Sequence, residues 1–222
     1  MKTILFQGDS ITDVCRVREN HPFPINLAPG FLAPGYAGVV SANLSAKYKG
    51  EYNYINRGIS GNRIVDVYAR IKSDIINLKP DYMSLYIGVN DVWHEIGSQN
   101  GVAPHKFEKI YTMLLEEIYE ALPDIKIMLI APFVLEGTAT ENTEEVPDRL
   151  ERFKKGVATN ADIVRKIADK FNLPCISLQP IFDDACKYAP ISYWTNDGVH
   201  PSITGHGLIA EEWIKVFEEK LK

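Results

Sequence analysis

The sequence predicts an α/β fold with three α/β/α layers, in which helices cover both faces of a five-stranded parallel sheet. Short apolar runs recur along the 222 residues, and between them apolar residues return at about every 3.6 positions. Alternating strands and helices of this kind are typical of right-handed crossovers in a parallel sheet. The composition is ordinary for a globular domain, with 45% hydrophobic residues. No linker or internal repeat interrupts the chain, so we predict one domain over residues 1–222.

The apolar runs place the five predicted strands at 3–7, 52–56, 82–87, 126–131 and 175–178. Helical spacing predicts the intervening helices at 36–48, 64–78, 104–122, 147–171 and 204–221. Two segments break the pattern: 18–35 holds four prolines, and 133–148 is acidic and rich in turn residues. They follow the first and fourth strands, and loops of such length are either pocket walls, interface elements or plain surface loops.

Charge and cysteine content exclude several classes of protein. The net charge of −5 argues against nucleic acid as a partner, because phosphate binding needs a basic surface. The first apolar run, at 4–6, is too short for a signal-peptide core, and no stretch approaches the roughly 20 apolar residues of a membrane span. Cys15, Cys175 and Cys186 form no C-x-x-C pair and are expected to be free thiols. We therefore expect a cytoplasmic protein without a membrane partner.

The first candidate for chemistry is Ser10, in the run Phe-Gln-Gly-Asp-Ser-Ile-Thr at 6–12. It follows the first strand directly, and Gly8 lets the backbone turn as the chain leaves the sheet. Open α/β sheets bind their ligands at the carboxyl ends of the strands, so the Ser10 hydroxyl is expected at that edge. Alone the motif is weak, because Gly, Asp and Ser are common turn residues.

Two further motifs follow the second and third strands. The run 56–63 contains Gly58 and Gly61 before a helix, where backbone N–H groups can point into a shared anion site. The run 87–91 contains Asn90, whose amide can donate to a developing oxyanion. Taken singly, the first is better explained as a glycine-rich turn without a ligand, and the second as a helix or turn cap.

The fourth motif is Asp-Gly-Val-His-Pro at 197–201, before the last predicted helix. A serine nucleophile needs a base near its hydroxyl and an acid that orients the base. Asp197 lies three residues before His200, so its carboxylate can accept from Nδ1–H while Nε2 faces Ser10. Asp183 and Asp184 are alternative acids, but they lie well before the histidine. A solvated turn is the alternative for this motif alone, whereas the four motifs together supply nucleophile, oxyanion donors, base and orienting acid.

In these four blocks the chain resembles the SGNH hydrolase superfamily, or GDSL esterases, whose name letters fall on Ser10, Gly61, Asn90 and His200. The resemblance spans the whole chain and implies a flavodoxin-like strand order 2-1-3-4-5. It also implies an oxyanion hole made by the Ser10 and Gly61 N–H groups and the Asn90 side chain. The runs at 8–13, 57–62, 87–93, 131–133 and 199–206 are most similar to the bacterial acetylxylan esterase branch. There a tryptophan often directly precedes the acid, whereas here Thr195 and Asn196 separate Trp194 from Asp197.

These motifs predict a serine esterase that removes O-acetyl groups from sugars or oligosaccharides of the xylan type, without cofactor or metal. Trp93 and Trp194 flank two of the blocks and are predicted to bind the sugar. Further candidates for the pocket mouth are Phe23, Phe31 and Phe133. For each of these aromatic residues, packing in the core or at an interface is the alternative. One alternative function is a lysophospholipase or thioesterase. Another is a flavodoxin-like module that binds a ligand without turnover. The segment 18–35 is compatible with a homo-oligomer.

Overall fold

The computed structural model describes residues 1–14 and 35–222, and within them five parallel strands form one sheet in the order β2-β1-β3-β4-β5. The strands are β1 (Lys2–Gly8), β2 (Tyr52–Asn56), β3 (Tyr82–Tyr86), β4 (Lys126–Ala131) and β5 (Cys175–Ser177). The fold class and the strand order predicted from the sequence are therefore confirmed. Most of the segment 18–35 lies outside the described residues, including Phe23 and Phe31, and so does Cys15.

Helices occupy the connections between the strands. In the described ranges they are α1 (Ser10–Asp13), α2 (Gly35–Tyr48), α3 (Ile64–Ala69), α4 (Ile71–Asp74), α5 (Val89–Ser98), α6 (Pro104–Ala121), α7 (Arg149–Phe171), α8 (Leu178–Ala185), α9 (Ile191–Trp194) and α10 (Ile203–Val216). A 3₁₀ turn at Ile76–Leu78 and a π-helical turn at Phe217–Leu221 follow α4 and α10.

The helices differ from the prediction at several places: α1, α5, α8 and α9 were not predicted, and one predicted helix is divided. The predicted helix 64–78 is divided into α3, α4 and the 3₁₀ turn, because Arg70 at the first junction has φ −112° and ψ 18°, outside the helical region. The helix α5 is separated from the end of β3 by two residues, where the sequence left a helix cap or a turn cap open. Its apolar residues Val89, Val92 and Ile96 follow helical spacing, so the signal was present although it was short.

The two faces of the sheet bury separate apolar cores. Phe6 on β1 packs against Tyr36 of α2 and Trp213 of α10, with ring centroids 5.9 and 5.3 Å apart. On the opposite face Leu5 and Leu85 are buried with side chains of α3, α6 and α7. Burial of each such side chain contributes about 1.5–3 kcal/mol, so both layers hold the strand ends in register.

No helix within residues 1–14 and 35–222 combines the length and the hydropathy that a bilayer crossing requires. Cys175 and Cys186 carry free thiols. The cytoplasmic location and the homo-oligomer remain predictions.

His206 joins the last helix to the segment that follows the undescribed residues. Its side chain is buried, and its Nδ1 accepts a hydrogen bond of 3.1 Å from the backbone N–H of Tyr36. The imidazole also stacks on the Tyr36 ring. Burial, and secondarily the nearby His200, lowers the pKa of His206 from 6.5 to about 4. Since protonation would remove the acceptor, the folded protein holds His206 neutral.

We expect His206 to make the protein less stable in acid. Between pH 6.5 and about 4 the unfolded chain binds a proton on this residue that the folded chain does not, so stability falls as pH decreases through that window. The loss is roughly 3 kcal/mol. His206→Asn keeps an acceptor but has no group that titrates in this range, so it lacks this pH-dependent part of the stability. In urea unfolding, the difference in free energy of unfolding between wild type and variant should therefore become smaller toward pH 4.5. The exposed His105→Asn is the control and should follow the wild type. A gap that is constant with pH would contradict this assignment.

Candidate active site

Ser10 begins α1 immediately after β1 ends. Asp9 caps this short helix: its Oδ1 accepts from the Ile11 N–H at 3.0 Å, and its carbonyl accepts from the N–H groups of Thr12 and Asp13. No described residue accepts from the N–H of Ser10, as expected at the first position of a helix. A Cβ on Gly8 would lie 2.4 Å from the Tyr86 carbonyl oxygen, so glycine is needed where the turn passes β3.

The structure brings Ser10, His200 and Asp197 together. The Ser10 Oγ lies 2.9 Å from His200 Nε2, and His200 Nδ1 lies 2.7 Å from Asp197 Oδ2. The second oxygen of Asp197 accepts from the N–H groups of Val199 and His200, at 2.9 and 2.7 Å. The carboxylate is therefore fixed on both sides, and the imidazole is directed at the serine hydroxyl. This arrangement can withdraw the proton from an attacking hydroxyl group.

The alternative acids lie elsewhere. Asp183 accepts from the Gln179 side chain, and Asp184 pairs with Lys187, all on or beside the exposed surface of α8. Neither has a described contact with His200.

Hydrogen bonding sets the charges of the pair. The hydrogen bond to Asp197 raises the pKa of His200 above 6.5, against the opposing effect of burial. For Asp197, burial alone would raise the pKa, but the hydrogen bonds from His200 and Val199 outweigh it and lower the pKa. Asp197 is therefore ionised at neutral pH and stabilises an imidazolium.

The segment 133–148 packs against the loop that carries Asp197 and His200. The Leu135 N–H donates to the Gly198 carbonyl at 2.8 Å, and the Ala139 N–H donates to the Asp197 carbonyl at 3.0 Å. Gly137 lies so close that a Cβ there would be 2.3 Å from the Asp197 carbonyl carbon. This segment thus supports the acid and base, a role that differs from the pocket wall, interface element or surface loop that the sequence left open.

The loop 57–62, which carries Gly61, is fastened to β1 and α1. The N–H groups of Arg57 and Ile59 donate to the carbonyls of Phe6 and Gly8, at 2.8 and 3.1 Å. The Ser60 N–H donates to Asp13 Oδ2 at 3.0 Å. A segment far away in sequence is therefore held as a continuation of the strand end that presents Ser10.

Gly61 and Asn90 lie in the same neighbourhood. Gly61 has φ +79°, a conformation that favours glycine. The buried Asn90, near the start of α5, donates through Nδ2 to the Asn62 carbonyl at 3.2 Å. An amide has two N–H donors, so the other remains for a substrate oxygen. The three predicted oxyanion donors are thus carried by segments that contact one another directly.

The two predicted sugar-binding tryptophans lie in different surroundings. The Trp93 ring lies 5.9 Å from the imidazole of His200 and packs edge-on against Phe153. Trp194 donates to the Ala189 carbonyl and lines a groove of about 530 Å³ together with Leu208. No described contact joins Trp194 to the serine, acid or base, and its role in sugar binding remains a prediction.

Two neighbours of the site carried no clear signal in the sequence. A Cβ on Gly61 would lie 4.0 Å from His94 Nε2, so this half-buried histidine adjoins the candidate oxyanion loop. Asp9 is fully buried, its Oδ2 has no described partner, and burial raises its pKa to about 7. Within residues 1–14 and 35–222, no group of three or more His, Cys, Asp or Glu side chains is placed to hold a metal ion.

Comparison with known proteins agrees with this geometry. Residues 6–208 match the model of the GDSL-like lipase/acylhydrolase family. The chain is 32% identical over 217 residues to an acetylxylan esterase from Geobacillus stearothermophilus, covering 96% of this chain and 92% of that protein. The crystal structure of a GDSL-like lipase from Parabacteroides merdae superimposes with a TM-score of 0.87 at 34% identity, covering 98% and 95% of the two chains. A crystal structure of an acetylxylan esterase from Geobacillus stearothermophilus superimposes with a TM-score of 0.79 at 29% identity, covering 96% of this chain and 93% of that chain.

Removing the charge of Asp197 should lower the pKa of His200. In wild type, NMR titration of the imidazole should show a midpoint above 6.5, and in Asp197→Asn a midpoint at 6.5 or lower, because the hydrogen bond to the carboxylate is the main cause of the rise. Asp184→Asn serves as a control and should leave the midpoint unchanged. An unchanged midpoint in Asp197→Asn would show that the pair does not exist in solution.

A methyl group at residue 137 should displace the acid. Gly137→Ala places a Cβ 2.3 Å from backbone atoms of Asp197, which must move, and a misplacement of about 1 Å costs roughly 10²-fold in rate. We expect labelling of Ser10 by a fluorophosphonate to slow by a factor of that order. Gly207→Ala is the matched control, because a Cβ there meets no atom within 4 Å, and its labelling rate should equal that of wild type. Equal rates in both variants would contradict the supporting role of this segment.

Proposed function

The chain belongs to the GDSL-like lipase/acylhydrolase family, and we propose that it removes O-acetyl groups from sugars or oligosaccharides of the xylan type. At the coarser level it is a carboxylic ester hydrolase. The observation that carries the proposal is the continuous hydrogen-bonded series from Ser10 Oγ through His200 to Asp197. We assign Ser10 as nucleophile, His200 as general base and acid, and Asp197 as the orienting carboxylate.

The reaction proceeds in two halves. The Ser10 Oγ attacks the ester carbonyl carbon while His200 Nε2 takes the hydroxyl proton, and the tetrahedral intermediate collapses as the imidazolium protonates the leaving sugar oxygen. A water molecule then attacks the acetyl-serine ester with His200 again as base, and acetate leaves as Ser10 recovers its proton. Asp197 remains ionised throughout, because its hydrogen bonds lower its pKa.

The developing oxyanion is stabilised by three donors in this proposal. They are the N–H groups of Ser10 and Gly61 and the second N–H of the Asn90 amide. Removal of one such donor typically costs about 10²–10³ in kcat. The loss is large because such donors are fixed in place before the charge develops, so no reorganisation is needed when it does.

Two observations support an acetylated sugar as the substrate. The first is that the Trp93 ring lies 5.9 Å from the imidazole of His200, which protonates the leaving alcohol in this proposal, so an aromatic surface adjoins the leaving group. The Geobacillus stearothermophilus protein, which matches over nearly its full length, is named an acetylxylan esterase. A long-chain acyl group, as in a lysophospholipase or thioesterase, is the competing substrate class.

Hydrolysis assays test both the nucleophile and the substrate class. We expect the wild type to prefer p-nitrophenyl acetate over the octanoate and to release acetate from acetylated xylo-oligosaccharides. Ser10→Ala should lose on the order of 10⁶ in kcat and all fluorophosphonate labelling. Ser41→Ala, whose hydroxyl donates to Gly38 within α2, is the control and should behave as wild type.

Each departure from these results has a definite meaning. Preference for the octanoate would replace the acetyl-sugar assignment with the long-chain one. Sugar binding without labelling or turnover would favour the non-catalytic module. Activity retained in Ser10→Ala would remove Ser10 as nucleophile.

A further inference from the structure

We propose that Arg70 is the positioning residue of the oxyanion site. Its guanidinium group ties the end of β1, which presents Ser10, to the loop 57–62, which presents Gly61, and acts through Asn62 on Asn90. This inference rests on the proposed function, since that function assigns the three donors. Arg70 itself is not expected to contact the substrate.

The hydrogen bonds of Arg70 reach both sides of the site. Nη2 donates to Gln7 Oε1 at 2.8 Å and to the Gly8 carbonyl at 3.3 Å, at the end of β1. Nη1 donates to the Arg57 carbonyl at 2.9 Å, at the start of the loop. The Gly8 carbonyl also accepts from the Ile59 N–H, so the guanidinium group reinforces the junction where loop and strand meet.

A second branch leads to Asn90. The Arg70 Nε donates to Asn62 Oδ1 at 2.9 Å, and the backbone carbonyl of the same Asn62 accepts from Asn90 Nδ2 at 3.2 Å. The orientation of the Asn90 amide therefore depends on a residue whose side chain is held by Arg70. One amide N–H is committed to Asn62, and this fixes the direction of the other.

The local backbone is arranged for this role. Arg70 lies at the break between α3 and α4, and only 14% of its side chain is exposed. Asp74, one turn further on, pairs with Nη1 at 2.7 Å and balances the charge. The break interrupts a helix that the sequence pattern would continue, at the residue whose side chain reaches back to β1.

Lysine cannot reproduce these contacts. The described bonds use one donor on Nε, two on Nη1 and two on Nη2, which is the full fork of a guanidinium group. An ammonium group has three donors on a single atom and cannot span the Asn62, Arg57 and Gly8 acceptors together. Arg70→Lys therefore keeps the positive charge and the ion pair with Asp74 but loses the simultaneous hydrogen bonds to the acceptors of the strand end and the loop.

Steady-state kinetics on p-nitrophenyl acetate test the proposal. We expect Arg70→Lys to lower kcat by about 10- to 100-fold with little change in KM, because a shift of donors of about 1 Å affects the transition state more than binding. The pH midpoint of kcat should be unchanged, because the bond between His200 and Asp197 is unaltered. Asp74→Asn is the matched control: it removes the ion pair but keeps the loop contacts, and kcat should stay near wild type.

A double-mutant cycle with Asn90→Ala separates positioning from general loss of stability. In wild type that substitution should cost about 10²–10³ in kcat, and in the Arg70→Lys background at least about tenfold less, because the donor is already misplaced. Additive losses would overturn the proposal, as would a fall in kcat of Asp74→Asn equal to that of Arg70→Lys.

Asn62→Ala covers the case in which Arg70→Lys does not fold. It removes the hydrogen bond from Arg70 Nε but leaves those from Nη1 and Nη2. We therefore expect Asn62→Ala to lower kcat, and its loss should be non-additive with that of Asn90→Ala. Full kcat in Asn62→Ala would overturn the branch to Asn90. Failure of the proposed function would give different results: the wild type would hydrolyse no acetyl ester, or Ser10→Ala would remain active.

Discussion

The hydrogen bond of 2.9 Å between Ser10 Oγ and His200 Nε2 joins groups 190 residues apart, and the rest of the site is arranged around it. Neither residue lies in a long regular element. Ser10 begins a helix of four residues, and His200 lies in the loop before α10, so their positions depend on side-chain and backbone hydrogen bonds from other segments. The loop 57–62 holds the serine side, and the segment 133–148 holds the acid and base. The sheet contributes the common edge at which these supports meet.

Three buried or half-buried aspartates show how environment assigns charge. Burial raises the pKa of Asp9 and of Asp91 to about 7, whereas hydrogen bonds from His200 and Val199 keep the pKa of Asp197 low. Only the acid that contacts the imidazole is thus fully ionised at neutral pH. Asp9 is adjacent to Ser10 in the sequence, so a carboxyl group with a raised pKa lies beside the proposed nucleophile. Groups with environments that separate their pKa values in this way are typical of catalytic sites.

Much of the fold followed from periodicity, because apolar runs and helical spacing are local signals. The predicted bounds of β2 and β4 agree with the structure, and the strand order agrees with the family resemblance. The meeting of Ser10, Asp197 and His200 followed from the chemistry that their motifs share. The roles of Arg70 and Gly137 could not be predicted from the sequence. A hydrogen bond between residues 63 positions apart, and a close approach of two backbone segments, leave no periodic pattern. The helix α5 was missed for another reason, as its few apolar residues share a segment with a glycine-containing motif.

The order of the site along the chain also bears on biosynthesis. A ribosome makes the proposed nucleophile Ser10, together with Gly61 and Asn90, well before the imidazole of His200 and the carboxylate of Asp197. At about 5–20 residues per second, roughly 10–40 s separate the emergence of the two partners. During that interval the nascent polypeptide holds an ordinary serine hydroxyl that no base activates. Under the proposed mechanism, a nascent polypeptide that has not yet reached His200 lacks the base that activates Ser10.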